Sequence, residues 1–437
     1  MRNCTAKLLL AGMVAATGLL GGCGGGGQKE AESDVKNAVK APDPVTLKFY
    51  TRTVIDDYEK YVNQYVKKKF PHVTLQVVEN KKGSTIEELI AMNDIPDIIW
   101  EGVTNLQSVL PLEIAQDLRP LAQKHGLDFG VYDSKLVDSI KSYSKNGEVY
   151  YLPYNVLAFA LHYNKDIFDK FGVPYPTNNM TWDDVIALGN KLTRTDGTIQ
   201  YVGLKPPINI NRLQMQASLP YVDPKTEQAL VASEGWKELF ETAKRMFPNP
   251  LPAPIKSLGD SRNEFTTAKT LAMLPDILLL HNTDMAKLER EGFKWDFVTY
   301  PTFKNKPNVG QGLFSDGFIL TKASKHQDVA FQVISYLSTD PEVQLGATKD
   351  GRITGLKNED IRKQAFANNE LAKGRNTAAL LGQSYPVPAP SSVYDRDAAS
   401  LVNGKLLSFI NGSIDVNTAL REAQDLVTKK IAEKKSQ

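Results

Sequence analysis

Residues 45–77 read VTLKFYTRTVIDDYEKYVNQYVKKKFPHVTLQV. Val45, Leu47 and Phe49 alternate with Thr46, Lys48 and Tyr50, the period of a strand with one buried face. Tyr58, Val62, Tyr65, Val66 and Phe70 then fall on one side of a helix. Lys67, Lys68 and Lys69 close that helix, where positive charge suits the helix dipole, and Pro71 stops it. Val73, Leu75 and Val77 resume the strand alternation. A strand, a helix and a strand of these lengths predict a parallel pair with a right-handed crossover.

The pattern continues downstream. Thr181-Trp-Asp-Asp184 predicts a capping box ahead of Val185, Leu188 and Leu192. Val329, Ala330, Val333, Ile334 and Leu337 predict another helix. Val416, Ala419, Leu420, Ala423, Val427 and Ile431 predict a long one near the end. Strands interspersed with helices give an α/β class, in which ligands sit beyond the carboxyl ends of strands. The chain has 437 residues, 42% of them apolar, enough for two lobes with separate cores.

Upstream of the first strand the composition changes. Arg2 and Lys7 are followed by an apolar or small stretch from Leu8 to Leu20, shorter than the ~20 residues that cross a bilayer. This predicts a signal peptide at residues 1–22. Leu20-Gly-Gly-Cys23 resembles the bacterial lipoprotein signal, so Cys23 is the expected lipid attachment point after cleavage. Cys4 would leave with the leader, so no disulfide is expected in the mature chain. Residues 23–44 lack the apolar density to fold and read as a flexible tether with a reach of roughly 25 Å. The formal charge is +2; losing Arg2 and Lys7 brings it to zero. No basic field argues for nucleic acid or a polybasic membrane patch.

Catalytic signatures are missing. No G-x-S-x-G or H-E-x-x-H occurs, and His72, His125, His162, His281 and His326 stand apart from one another. Gly310-Gln-Gly312 lacks the third glycine of a dinucleotide loop. Asp56-Asp57 and Asp183-Asp184 are neighbours whose side chains point apart, unlike a glycosidase pair. No metal and no cofactor are expected.

The stretch GEVYYLPYNVLAFALHYNKDIFDKFGVPYP (147–176), followed by TWDDV, resembles the family 1 extracellular solute-binding proteins of ABC importers, the relatives of maltose-binding protein. Tyr163-Asn-Lys165 and Gly172-Val-Pro174 match the family pattern, and Asp184 stands where a glutamate is usual. IPDIIW (95–100), Asp117-Leu118, FTTAKTLAMLPD (265–276) and SDGFILTKASKHQDVAFQVISYLS (315–338) resemble further segments in the family's order. The resemblance implies a periplasmic-binding-protein-like fold: two α/β lobes joined by a multi-strand hinge, with the ligand cleft between them. It places residues 45–155 and 303–350 in one lobe and 156–302 and 351–437 in the other, with passages near 154–158, 300–304 and 350. It also implies a monomer held by lipid on the extracytoplasmic face of the cell membrane, partnered by permease and ATPase subunits.

Sugar recognition combines aromatic faces with planar polar groups that pair with hydroxyls. Loops at strand ends carrying both kinds are the candidate ligand contacts: Tyr50 and Arg52, Trp100 and Glu101 with Thr104 and Asn105 one turn on, Tyr154 and Asn155, Asp276, Asp316, and Arg352. Trp100 and Asp276 are expected on opposite walls of one site. Trp182, Trp236 and Trp295 read as structural, and Asp97 as orienting its loop. These mixed loops favour a sugar or oligosaccharide over a phosphate. A non-sugar solute and an exported lipid-anchored hydrolase stay open as alternatives.

Overall fold

The computed structural model describes residues 42–52, 55–144, 146–259, 261–281 and 283–436. The leader, Cys23 and nearly all of the tether lie outside the described residues, and Asp43 onward forms one compact unit. Among the described residues its ten strands are β1 (Val45–Thr51), β2 (Val73–Glu79), β3 (Ile98–Gly102), β4 (Leu152–Val156), β5 (Phe159–Asn164), β6 (Arg194–Asp196), β7 (Ile199–Leu204), β8 (Leu271–Ile277), β9 (Trp295–Thr299) and β10 (Ser315–Leu320). They form two five-stranded sheets, ordered β2-β1-β3-β10-β4 and β6-β7-β8-β5-β9.

The opening unit folds as its pattern predicts. β1 and β2 are parallel, in register from Val45↔Val73 to Thr51↔Glu79. The helix between them starts at Ile55 and passes through a wide π turn at Glu59–Asn63 before ending at Lys69. Tyr58, Val62 and Val66 are buried against Leu47 and Phe49. The helix Gln327–Thr339 covers the same face through Ala330, Phe331, Val333 and Ile334. The other face of this sheet buries Tyr50, Ile99 and Ile319. β10 runs antiparallel to both its neighbours, so the sheet is mixed rather than purely parallel.

The second sheet is also covered on both faces. Leu161 and Met273 pack under the helices Trp182–Leu192, Glu234–Arg245, Asp395–Ile410 and Val416–Lys435. Ala160, Leu274 and Phe297 face Phe265, Leu279 and Phe366. Thr181 and Asp184 make the predicted reciprocal cap, with Thr181 N–H on Asp184 Oδ2 at 2.9 Å and Asp184 N–H on Thr181 Oγ1 at 3.2 Å. The helix it starts lies hard against β7, where a Cβ on Gly203 would stand 1.8 Å from the Gly189 carbonyl oxygen. Trp182, Trp236 and Trp295 are core residues here, each 2% exposed or less. Asp97 orients its segment by accepting from Lys48 N–H at 2.7 Å.

Three passages link the lobes. The first is the short step from β4 to β5, where Val156 N–H donates to Ile353 C=O at 2.7 Å and Leu157 N–H to Phe314 C=O at 2.9 Å. The second comes later than 300–304. Phe303 still packs in the second lobe, Gln311 still donates to the Arg212 carbonyl, and only Leu313 enters the first lobe's core. The third comes after residue 350. Asp133 N–H bonds Gly355 C=O, Lys357 N–H bonds Val131 C=O, and Phe366 is the first residue beyond them in the second lobe's core. Contacts with segments distant in sequence, invisible to periodicity, set both boundaries. The proline-rich run SYPVPAPSS (384–392) adds a strap. Ser384 N–H bonds Asn308 C=O at one end, while Ser391 N–H bonds Ser142 C=O of the first lobe.

Candidate functional site

The carboxyl ends of β1 and β3 bring several of the expected residues together. Arg52 Nε lies 2.9 Å from Glu101 Oε2. Glu101 Oε1 accepts from Gly102 N–H at 2.9 Å and Asn105 Nδ2 at 2.6 Å. Arg352 pairs with Asp57 and reaches Asp316 at 3.6 Å, with its guanidinium 4.6 Å from the centre of the Tyr61 ring. Burial raises the Asp316 carboxyl above its ordinary range, against the pull of Arg352 and Asn155; the charges of Glu101 and Asp57 add to the rise. Asn155 pairs with Asp316 across β4 and β10, and its side chain is fully buried with neither amide atom in a well-formed hydrogen bond.

Trp100, Tyr50 and Tyr154 belong elsewhere. β3 continues to Gly102, so Trp100 is a mid-strand residue on the same face as Ile98, 1% exposed. Its ring meets Phe49, Phe318 and Tyr154 at 6.1–6.2 Å, which leaves no face for a sugar. Tyr154 lies in that same core with its hydroxyl on the Tyr61 carbonyl. Tyr50 is buried on the opposite face, donating to Asn80 Oδ1 at 2.7 Å.

Asp276 sits in the second lobe, opposite Ala160 in the β8–β5 register. Arg212 holds its Oδ1 together with Ile277 N–H, and Arg262 holds Oδ2. Burial alone would raise its pKa, but the two guanidiniums bring it below the ordinary range. Both oxygens are therefore engaged, and the carboxylate fixes arginines rather than meeting a ligand hydroxyl. Its expected pairing with Trp100 across one site does not occur. Arg212 comes from the helix Ile210–Ala217, whose buried positions include Arg212, Gln214 and Gln216. Arg212 Nε, Tyr300 Oη and Gln311 Oε1 beside it are buried without partners. Buried polar atoms are rarely left so, and here they gather next to the passages between the lobes.

A pocket of about 70 Å³ opens between the lobes. Thr104, Gln107, Ser139, Ser142 and Tyr143 line it from the first lobe, and Asn211, Gln214, Met215 and Tyr221 from the second. Gly312 and Leu313 of the second passage, Pro386, Pro388, Ala389, Pro390 and Ser391 of the strap, and Asp395 complete it. Tyrosines, side-chain amides and hydroxyls in this proportion suit a polyhydroxylated solute. Of its lining only Thr104 is among the ligand contacts expected from the sequence. The polar buried positions of the helix Ile210–Ala217 are a signal that could have found Asn211, Gln214 and Met215.

The profile of the bacterial extracellular solute-binding protein family matches residues 53–344. The arabinooligosaccharide-binding protein of Bacillus subtilis is 27% identical over 335 residues, covering 74% of this chain and 72% of the relative. Binding proteins of Brucella abortus and Brucella suis are 24% identical over 233 residues, 51% of this chain, and the match spans about half of their own length, 54%. Among solved structures, an ABC substrate-binding protein of Listeria monocytogenes in complex with cycloalternan superposes with a TM-score of 0.70 at 19% identity, covering 89% of this chain and 100% of the other. The sugar-binding protein MalE of Xanthomonas citri does so at 0.67 and 17%, covering 90% and 98%. These structures share the two-lobed α/β architecture. With the profile running from residue 53 into the helix Pro341–Lys349, the chain is a member of the bacterial extracellular solute-binding protein family.

Proposed function

We propose that the protein is the lipid-anchored, extracytoplasmic substrate-binding component of an ABC importer, taking up a sugar or oligosaccharide between its lobes and handing it to permease and ATPase subunits. Its family is one of binding proteins rather than enzymes, which leaves no support for the hydrolase alternative. The observation that carries the sugar reading is the interlobe pocket, where Tyr143 and Tyr221 stand among amides and hydroxyls contributed by both lobes. The names of the relatives, with arabino-oligosaccharide and cycloalternan among their ligands, support the same class. A pocket of about 70 Å³ holds a few waters, so a saccharide needs the lobes to part and reclose over it. Anchoring rests on Leu20-Gly-Gly-Cys23, and no helix among the described residues is long and apolar enough to cross a membrane. The test is a thermal-shift and calorimetric screen of the chain lacking residues 1–23 against arabino-oligosaccharides, malto-oligosaccharides and manno-oligosaccharides. A ligand at 100 times its Kd adds about 2.7 kcal/mol of stability. Silence across neutral sugars, with binding of another solute class, overturns the reading.

A further inference from the structure

One carboxylate of the interlobe pocket has an oxygen with no task in the fold. Asp395 begins the helix Asp395–Ile410 and is 5% exposed. Its Oδ2 accepts from Ser392 N–H at 2.9 Å and from Ser391 Oγ at 3.1 Å. Those bonds fix the strap's return into the helix and already explain an acid at a helix start. Oδ1 is buried and unpartnered, and Asp395 lines the pocket. Among the described residues no ion pair relieves it, and Arg396 turns away to Ser108 Oγ. The titratable groups facing Asp395 are Tyr143 of the first lobe and Tyr221 of the second. Tyr221 already donates to Asn211 Oδ1 at 2.6 Å. A buried acceptor left unpaired costs free energy unless something supplies a donor.

We propose that Asp395 Oδ1 is a recognition group for the bound solute, accepting a hydrogen bond from one of its donor groups. Resting on the carbohydrate reading above, that donor is a sugar hydroxyl. Burial pushes the Asp395 carboxyl up to about 7, with the Ser392 N–H and Ser391 hydroxyl opposing the rise. A hydroxyl donates to the ionised form, so affinity falls as pH drops through that value. Between pH 8 and pH 6 the ionised fraction, and with it the affinity, falls about tenfold.

Asp395→Asn tests the assignment with little change of shape. Ser392 N–H requires the amide oxygen where Oδ2 now stands, so the amide nitrogen turns into the pocket and an acceptor becomes a donor. The assay is calorimetric titration of wild type and D395N, without residues 1–23, at pH 6, 7 and 8. The probes are the neutral oligosaccharides named above and spermidine; ligand-free melting temperatures check folding. D395N should bind the sugar roughly ten- to a hundredfold more weakly at pH 8, lose the pH dependence and melt within a few degrees of wild type at pH 6. Equal affinities with the same pH profile overturn the assignment while the carbohydrate reading stands. Wild type binding spermidine but no sugar, with D395N losing it, keeps Asp395 as the acceptor and overturns the carbohydrate reading. Wild type binding neither probe class overturns both.

Discussion

Replacing Asp276 with asparagine should act on stability before it acts on any ligand. The carboxylate holds Arg212, whose side chain is 7% exposed, and Arg262, which is 36% exposed. Arg262 can recover water when its partner is lost; Arg212 cannot. Removing one member of a buried charge pair costs roughly 3–5 kcal/mol because the remaining charge stays uncompensated. At roughly 2.1 cal/mol/K per residue, the compact unit from Asp43 to Gln437 unfolds with an entropy of about 0.8 kcal/mol/K. The melting temperature should therefore fall by about 4–6 °C. The pH dependence has a definite sign. The folded-state pKa lies below the unfolded value, so the stabilisation is complete above about pH 4 and is lost as pH falls through the folded pKa. The gap between wild type and D276N should hold steady from pH 5 to 8 and shrink below pH 4. Differential scanning calorimetry measures this directly. An unchanged melting temperature together with a large loss of sugar affinity would refute the reasoning and return Asp276 to the ligand.

His162 is fully buried, with Nε2 accepting from Leu279 N–H and Nδ1 donating to Leu274 C=O, and burial lowers its pKa to about 4. The unfolded chain protonates first on acidification, so roughly 3 kcal/mol of stability should be lost between pH 6.5 and 4; H162Q should flatten that slope by about one proton in denaturant titrations, and an unchanged slope counts against it. Gly203→Ala should cost more than the roughly 1–3 kcal/mol of ordinary overpacking, since its methyl meets the Gly189 backbone rather than a movable side chain; a normal melting temperature would show that the helix can lift off β7. Cys23→Ala should release the protein from detergent-extractable membranes into the soluble fraction, and full retention there would remove the lipid anchor.

The fold was legible where burial repeats along the chain. The alternation in β1 and β2, the cap at Thr181 and the apolar stripe of Gln327–Thr339 each report a local periodicity that packing preserves. Of the pocket between the lobes only Thr104 was legible; the charges expected as ligand contacts, Arg52 with Glu101 and Arg352 with Asp316, lie near one another outside its lining. Trp100 misled because the residues before it look like a complete strand, whereas β3 runs two residues further and parity turns the indole into the core. The strap and Asp395 could not be read at all. The run YDRDAAS is indistinguishable from any acidic helix start until Tyr143 arrives from some 250 positions away, and that approach is a property of the closed chain path alone.

The burial of all four tryptophans has a practical side. Trp100, Trp182, Trp236 and Trp295 are each 2% exposed or less and packed inside one lobe or the other. Lobes that move as rigid bodies carry these indoles with their surroundings unchanged. Tryptophan emission should therefore be nearly blind to occupancy, and a fluorescence titration with a flat response would say nothing about whether solute had bound. An optical reporter has to be placed at the seam itself. Val387, 62% exposed on the strap, offers a position where an introduced indole or a solvent-sensitive dye would change its surroundings as the two halves meet.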